Sequence, residues 1–280
     1  MKILLTGAAG YIGSHVVFEL LDRGYTDLCF IDKFLGTSHN WVINKANTAY
    51  DGNILSQGAL EFLREDYDVI IHLGAYVSGQ DNVEATKRML RHRKNAHFIF
   101  ASTGEAFNPI TAFAQSKRSC EEEIKFQLDD GYTIFRFYNV AGRRPEVSGE
   151  THSRHLICRA ARAAKGLAID VPVFGDDWET PDGTCVRDYI DARDLATSIV
   201  NAIGAGPANT PYECLGSGTG YSVKEVLDAM KKVTGQDFPV TIIPRRPGDV
   251  ASIICPEQYK HISLTHDLDA MCLSAYEGLK

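Results

Sequence analysis

The chain has 280 residues, 44% of them hydrophobic, with 29 basic against 36 acidic side chains and a net charge of −7. That length buries a sizeable core, as one large domain or a domain with a lobe, and the acidic balance argues against polyanion binding as the main task. Seven scattered cysteines with no Cys-x-x-Cys and no His pair at ligand spacing argue against a metal site and fit reduced thiols in a cytosolic setting.

In chain order, "KILLTG" reads as a strand; it resembles the start of a signal peptide, but the apolar run stops at Thr6-Gly7. The amphipathic helix "YIGSHVVFELLDRG" follows, then the strands "DLCFID", "DVIIHLG", "HFIFAST" and "TIFRFYN", with the helix "CEEEIKFQLDDG" before the last. This alternation predicts an α/β fold whose parallel sheet is covered on both faces. The basic run Arg91 to His97 reads as a solvated helix end. From Gly142 a polar connection leads to a helix over Leu156 to Lys165 and a glycine- and proline-marked region from Gly166 to Gly183. Helices over Ala192 to Ile203 and, capped by Ser222, over Val223 to Thr234 come next. No run approaches membrane-spanning length, and no internal repeat is present.

Glycines at 7, 10 and 13 follow the first strand directly and open the first helix. There the first glycine permits a tight turn, the second lets main chain approach a pyrophosphate, and the third lets the helix pack closely. The second strand ends at Asp32, nineteen residues after Gly13, where a carboxylate can accept both hydroxyls of an adenosine ribose. Strand, glycines and acid together point to NAD. Asp32 would repel a 2′-phosphate, so NAD is favoured over NADP, a preference that Lys33 weakens without reversing.

With these features in place the chain resembles the extended short-chain dehydrogenase/reductase superfamily and its NAD-dependent epimerase/dehydratase family, most of all the UDP-glucose 4-epimerases. The likeness runs almost end to end, through "LLTGAAGYIGSH", "DVIIHLGA", "FRFYNVAG", "VFGDDWETPDGTCVRDYI", "LGSGTGYSV" and "PRRPGD". It implies a Rossmann-type doubly wound parallel sheet: an NAD-binding domain over residues 1–142, with segments near 175–203 returning to it, and a smaller, mainly substrate-binding lobe over 143–280. It places Tyr11 and Ile12 with the glycines under the pyrophosphate, Asp32 and Lys33 at the ribose, and Asn53 and Ile54 beside adenine. Leu73, Gly74 and Ala75 would line the cofactor, Asn82 would support it, and Lys117 and Tyr138 would complete its site. The family usually has an aspartate where Asn53 stands, a change that keeps an acceptor and drops a charge. On the substrate side, Thr103, Asn139, Leu156, Val173, Phe174, Arg187, Arg246 and Asp249 match positions that grip a UDP-hexose. The arginines suit that task independently, because a guanidinium offers phosphate oxygens a planar fork of donors. Structural ion pairs are the alternative for Arg187 and Arg246, with binding favoured for Arg187 and an ion pair for Arg245.

In the epimerases, by the same resemblance, a tyrosine phenolate takes the proton from the sugar 4-hydroxyl while C4 passes hydride to NAD. A lysine binds the nicotinamide ribose and lowers the tyrosine pKa, and a serine or threonine holds the reacting oxygen. This chain has Lys117 and Thr103, but "TAFAQSK" carries Phe113 four residues before the lysine, where the tyrosine stands. A phenyl ring keeps the packing and cannot accept a proton. Cofactor binding is therefore expected to survive, while loss of the general base costs about 10²- to 10⁴-fold in rate. Glu105, in "STGEAF", matches a glutamate of the sugar-nucleotide 4,6-dehydratases and decarboxylases; a surrogate base is one reading, a surface or cap role the other. Three functions stay open: a UDP-glucose/UDP-galactose 4-epimerase using another base, an impaired homologue that binds NAD and a nucleotide sugar, and a dehydratase- or decarboxylase-like enzyme. "GEAFNPI" and "YVSGQDN" are shorter than the family's segments, which puts its homodimer in doubt. Ile253 falls where the family tunes space around sugar C2, leaving plain and N-acetylated hexoses open. No metal, nucleic acid or membrane partner is expected.

Overall fold

The structure is a computed structural model that describes residues 1–34, 40–76, 79–147, 155–208, 210–256 and 264–279. The strands are β1 (Lys2–Thr6), β2 (Asp27–Asp32), β3 (Thr48–Asp51), β4 (Val69–His72), β5 (His97–Thr103), β6 (Tyr132–Phe137), β7 (Asn139–Ala141), β8 (Val171–Phe174), β9 (Val186–Asp191), β10 (Glu213–Leu215), β11 (Gly220–Ser222), β12 (Val240–Ile243) and β13 (Ser252–Ile253). The helices are α1 (Tyr11–Asp22), α2 (Ala59–Leu63), α3 (Gly79–His92), α4 (Ala112–Gln127), α5 (Leu156–Ala164), α6 (Ala192–Ala205), α7 (Val223–Thr234) and α8 (Leu268–Glu277). Two compact units result, Met1–Phe137 with Ala196–Glu213, and Tyr138–Leu195 with Cys214–Lys280.

The first unit is built on a seven-stranded sheet in the order β10-β6-β5-β4-β1-β2-β3, parallel from β6 to β3. Its strands read as continuous apolar runs because both faces are covered: Ile3, Leu4, Leu5, Phe30, Phe98 and Phe100 are all buried. The chain goes from β1 to β2 and β3 on one side and returns to β4, β5 and β6 on the other. That reversal at β1 opens a crevice at the carboxyl ends of the strands, where such sheets bind ligands. Thr6 pairs with Ile31 on one side and His72 on the other, which levels the ends of β1, β2 and β4.

Three details differ from the sequence reading. The short polar "TAYD" forms β3, an edge strand that has no apolar run to announce it. "TIFRFYN" is two strands, β6 and β7, interrupted at Tyr138. His97 does not belong to a solvated run; it begins β5, is buried, and shares a 2.8 Å hydrogen bond with the Thr133 hydroxyl.

In the second unit β9 pairs antiparallel with β11 and parallel with β7 and β13, while β8 and β12 form a separate parallel pair. Its core gathers Ile157, Ala160, Ala161, Val171, Val226, Leu227, Met230, Leu268 and Met271. α7 starts at Ser222 with a reciprocal capping box to Glu225 and stops at Gly235, whose φ of 65° suits a residue without Cβ. The region from Gly166 to Gly183 contains β8, and "VTII" becomes its partner β12. Residues 148–154 of the polar connection lie outside the described residues.

Candidate active site

The glycine turn of the first unit is shaped by close main-chain approach. Gly7 has a φ of 76°, and a Cβ there would come within 2.7 Å of the Gly74 nitrogen. A Cβ on Gly13 would overlap the Gly7 carbonyl oxygen, so the first turn of α1 can stand this near the strand only without a side chain. Gly10 is the N-cap of α1 and gives it no side-chain cap, leaving first-turn N–H groups to face a ligand anion. Thr6 holds the floor: its hydroxyl accepts from the Gly74 N–H at 3.1 Å and shares a 2.7 Å hydrogen bond with His72 Nδ1. Burial, reinforced by the charge of Lys117, lowers the His72 pKa to about 3, so the ring stays neutral at physiological pH.

Asp32 closes β2. One carboxylate oxygen accepts from the Ala9 N–H at 2.7 Å and the other from its neighbour Lys33 at 2.6 Å. Those bonds aim the carboxylate back at the glycine turn and leave lone pairs on both oxygens for a ribose diol. Burial pushes its pKa up despite both bonds, while the Lys33 side chain is exposed. The Gly52 N–H donates to the Asp32 carbonyl at 2.7 Å, which brings Asn53 beside it. The Asn53 side-chain oxygen accepts from the Leu55 N–H at 2.8 Å and from the Tyr76 hydroxyl. Ile54 is 4% exposed and packs its side chain in the core. Asn82, buried at the start of α3, accepts from the Tyr76 N–H at 2.7 Å and donates to Ser116 on α4 at 3.2 Å. It thereby ties the loop after Leu73, Gly74 and Ala75 to α4.

α4 begins at Thr111, whose hydroxyl accepts from the Ala114 N–H at 3.1 Å. Phe113 lies in the first turn, 43% exposed. One turn on, Lys117 is buried, and its ammonium donates to the Ala101 carbonyl of β5 at 2.8 Å. The same ammonium sits 4.7 Å from the Phe100 ring centre and 5.9 Å from that of Phe113. Burial lowers its pKa to about 8, against the opposing pull of Cys120 and Glu121. Thr103 ends β5 with its hydroxyl accepting from the Glu105 N–H at 3.3 Å. The Glu105 carboxylate accepts from the Thr111 hydroxyl at 3.1 Å, which gives it a position in the cap of α4.

In the second unit, β9 presents Arg187, Asp188 and Tyr189. Arg187 pairs with Asp249, not with its chain neighbour, and donates to the Val250 carbonyl at 2.9 Å. Asp188 is consumed internally, accepting from the main chain of Ser217, Gly218 and Cys255. Arg246 stacks its guanidinium 3.5 Å above the Phe174 ring, and burial with the nearby charge of Arg159 lowers its pKa. Arg246 thus feels the positive charges of Arg159 and Arg187 as well as the carboxylate of Asp249, which is itself paired with Arg187. Arg245 forms an ion pair with Asp177 at 2.7 Å and stacks on Trp178. Asn139 pairs across the strand with Tyr189. Leu156 starts α5 half-buried against the core. Val173 is buried in the core of the second unit. Tyr138 is buried, and that burial, with Cys214 and Cys255 beside it, pushes its pKa up.

A family model described as the NAD dependent epimerase/dehydratase family matches residues 3–214. The chain belongs to that family. It is 32% identical to the UDP-glucose 4-epimerase of Streptococcus mutans, over 92% of this chain and 89% of that one. It is 33% identical to the UDP-glucose 4-epimerase of Halalkalibacterium halodurans, over 92% of this chain and 88% of that one. Among solved structures, the Bifidobacterium longum UDP-glucose 4-epimerase in complex with NAD+ and UDP superposes with a TM-score of 0.87 at 26% identity, covering 99% and 98% of the two chains. The Brucella ovis UDP-glucose 4-epimerase in complex with NAD gives 0.86 at 30% identity, covering 99% and 97%.

This epimerase/dehydratase-family chain also carries features that the sequence reading passed over. Arg136 and Glu121 are fully buried and joined by two hydrogen bonds of 2.8 and 2.6 Å, and Ser102 donates to the same carboxylate at 2.5 Å. The Arg136 guanidinium lies between the rings of Phe107 and Tyr212, at 4.4 and 3.7 Å. Glu121 is one turn beyond Lys117 and Ser102 is next to Thr103, so the pair fixes α4 against the end of β5. Arg88 clamps the turn after Asn53 by donating to the Leu55 and Ser56 carbonyls. An arginine in the middle of "TIFRFYN" was the available signal, since a buried guanidinium demands a carboxylate.

Proposed function

We propose that the protein is an NAD-dependent nucleotide-sugar 4-epimerase of the UDP-glucose/UDP-galactose type, its turnover depressed by Phe113. The observation that carries this is the Lys117 ammonium, held by Ala101 beside the Phe113 ring in a unit whose β1 and β2 ends carry the glycine turn and Asp32. Those residues fit NAD: capless helix donors for the pyrophosphate, a carboxylate with open lone pairs for the adenosine ribose, and no side chain in the cradle.

When bound, NAD supplies a hydride acceptor and donor at the sugar C4. Lys117 has three donors, one of them used on Ala101, and the others are available to a ribose hydroxyl. With a pKa of about 8 it is mostly cationic at pH 7. Thr103 offers its hydroxyl at the end of β5, and Phe113 holds the phenol position with a ring that moves no proton. In the other unit, Arg187 and Arg246 supply the diphosphate donors, with Asn139, Leu156, Val173, Phe174 and Asp249 completing the nucleotide grip. The domain assignment that goes with this reading is 1–142, with segments near 175–203 returning to it, for cofactor, and 143–280 mainly for substrate. Buried cysteine thiols support a reducing, cytoplasmic setting.

Incubation of the NAD-supplied protein with UDP-galactose, following UDP-glucose by chromatography, tests the reading. Slow interconversion is expected; Phe113→Tyr without any gain, while NAD and UDP still bind, would overturn it. Phe113 itself favours a second reading, a binding homologue without turnover, which predicts binding of both ligands and no product. The Glu105–Thr111 bond supports a cap for Glu105 over a surrogate base, and Glu105→Ala is expected to leave residual turnover unchanged.

A further inference from the structure

The first unit lays out a dinucleotide site in a fixed order. The glycine turn ends β1, Asp32 ends the adjacent β2, and Asn53 follows β3, the next strand. A pyrophosphate over the first and a ribose on the second leave the base to extend toward the third. Asn53 is one residue beyond Gly52, whose N–H is bonded to Asp32. The turn around it is firmly built: Arg88 holds two of its carbonyls, and the Tyr50 and Ser56 hydroxyls meet at 2.7 Å.

The orientation of the Asn53 amide is decided by a main-chain partner. The Leu55 N–H, 2.8 Å away, can only donate, so the side-chain oxygen faces it. The Tyr76 hydroxyl donates to the same oxygen. Burial raises the Tyr76 pKa, keeping that phenol protonated. A carbonyl oxygen has two lone pairs, and here both are used. Asn53 itself is half-buried, and among the described residues nothing accepts from its NH2. The usual pairing of asparagine with adenine, accepting from the 6-amino group while donating to N7, needs the oxygen that is already committed. A 6-oxo purine instead presents two acceptors, O6 and N7, to the same pair of donors.

We propose that Asn53 offers the dinucleotide's base hydrogen-bond donors and no acceptor, so that the site takes a 6-oxo purine at least as well as adenine. This rests on the reading of the first unit as an NAD site. Asparagine is then not a neutral replacement for a carboxylate, which would satisfy Leu55 with one oxygen and keep the other for a 6-amino group.

Calorimetric titration of the protein with NAD and with nicotinamide hypoxanthine dinucleotide, which differ in the purine 6-substituent and in N1, an acceptor in adenine and an N–H donor in hypoxanthine, tests the proposal. The expected result is a Kd for the hypoxanthine form equal to or below that for NAD. Asn53→Asp should turn the ratio toward NAD by about tenfold, the effect of one good polar contact. Tyr76→Phe, which frees a lone pair on Asn53, should move the ratio the same way by several-fold. A tenfold or greater preference of the native protein for NAD, or a ratio unmoved by Asn53→Asp, overturns the proposal while leaving the cofactor assignment standing. Binding of neither dinucleotide overturns both.

Discussion

The ammonium of Lys117 and the ring of Phe113, one helical turn apart on α4, face each other at 5.9 Å with no phenol between the cation and the space beyond. Phe113→Tyr places an acidic hydroxyl on that ring, and the adjacent cation favours its ionised form. The variant is expected to raise the rate of UDP-galactose to UDP-glucose conversion by about 10²- to 10⁴-fold. Initial rates for both proteins, with NAD and UDP affinities measured in parallel, check this.

Lys117 carries its own pH signature. Its folded-state pKa is lowered to about 8 from an ordinary 10.5. The unfolded chain therefore binds the proton more tightly between those values, and this group's contribution to stability rises with pH across that window. Below pH 8 the buried charge is a full cost. Lys117→Met is thus expected to raise the urea midpoint at pH 7 and to lose that advantage near pH 10, while weakening NAD binding. Urea unfolding at the two pH values measures it.

His72 predicts the acid limb. With a pKa near 3 in the folded state against 6.5 unfolded, it favours the unfolded chain as pH falls through that interval. His97, lowered to about 4 by burial, acts in the same direction. The double substitution His72→Gln with His97→Gln should flatten the loss of stability between pH 6.5 and 4.5, whatever it costs at neutral pH. Denaturant midpoints across that range provide the comparison.

The Glu121–Arg136 pair is expected to be costly to break and cheap to replace. Glu121→Gln leaves the buried guanidinium uncompensated, at about 3–5 kcal/mol. Glu121→Leu with Arg136→Met should recover most of that stability, because it removes both desolvated charges together. A double-mutant cycle in urea separates the coupling from the packing, and NAD affinity reports whether α4 has shifted.

Arg246 should distinguish fork from charge. Its flat contact with Phe174 at 3.5 Å needs a planar guanidinium. Arg246→Lys is therefore expected to weaken UDP binding nearly as much as Arg246→Ala, by about tenfold or more, an effect in the range of one charged hydrogen bond. Titration with UDP, which needs no turnover, measures both.

Local chemistry was enough for much of this protein. "KILLTGAAGYIG" and "DLCFID" specify strand, turn, helix and acid by periodicity and by backbone needs that only glycine meets, and Ser222 marks the start of α7. The family likeness followed from motifs that are contiguous in the chain. Other properties are made by residues far apart in sequence, and only packing decided them. Whether Asn53 keeps a free acceptor depends on Tyr76, twenty-three residues later. Whether Arg187 pairs with Asp188 or Asp249 depends on the loop before β13, and why Arg136 interrupts an apolar strand depends on Glu121, fifteen residues earlier on a helix. The physical reason is common to all three: hydrogen-bond capacity and charge are finite, and which partner uses them is settled when the chain is folded.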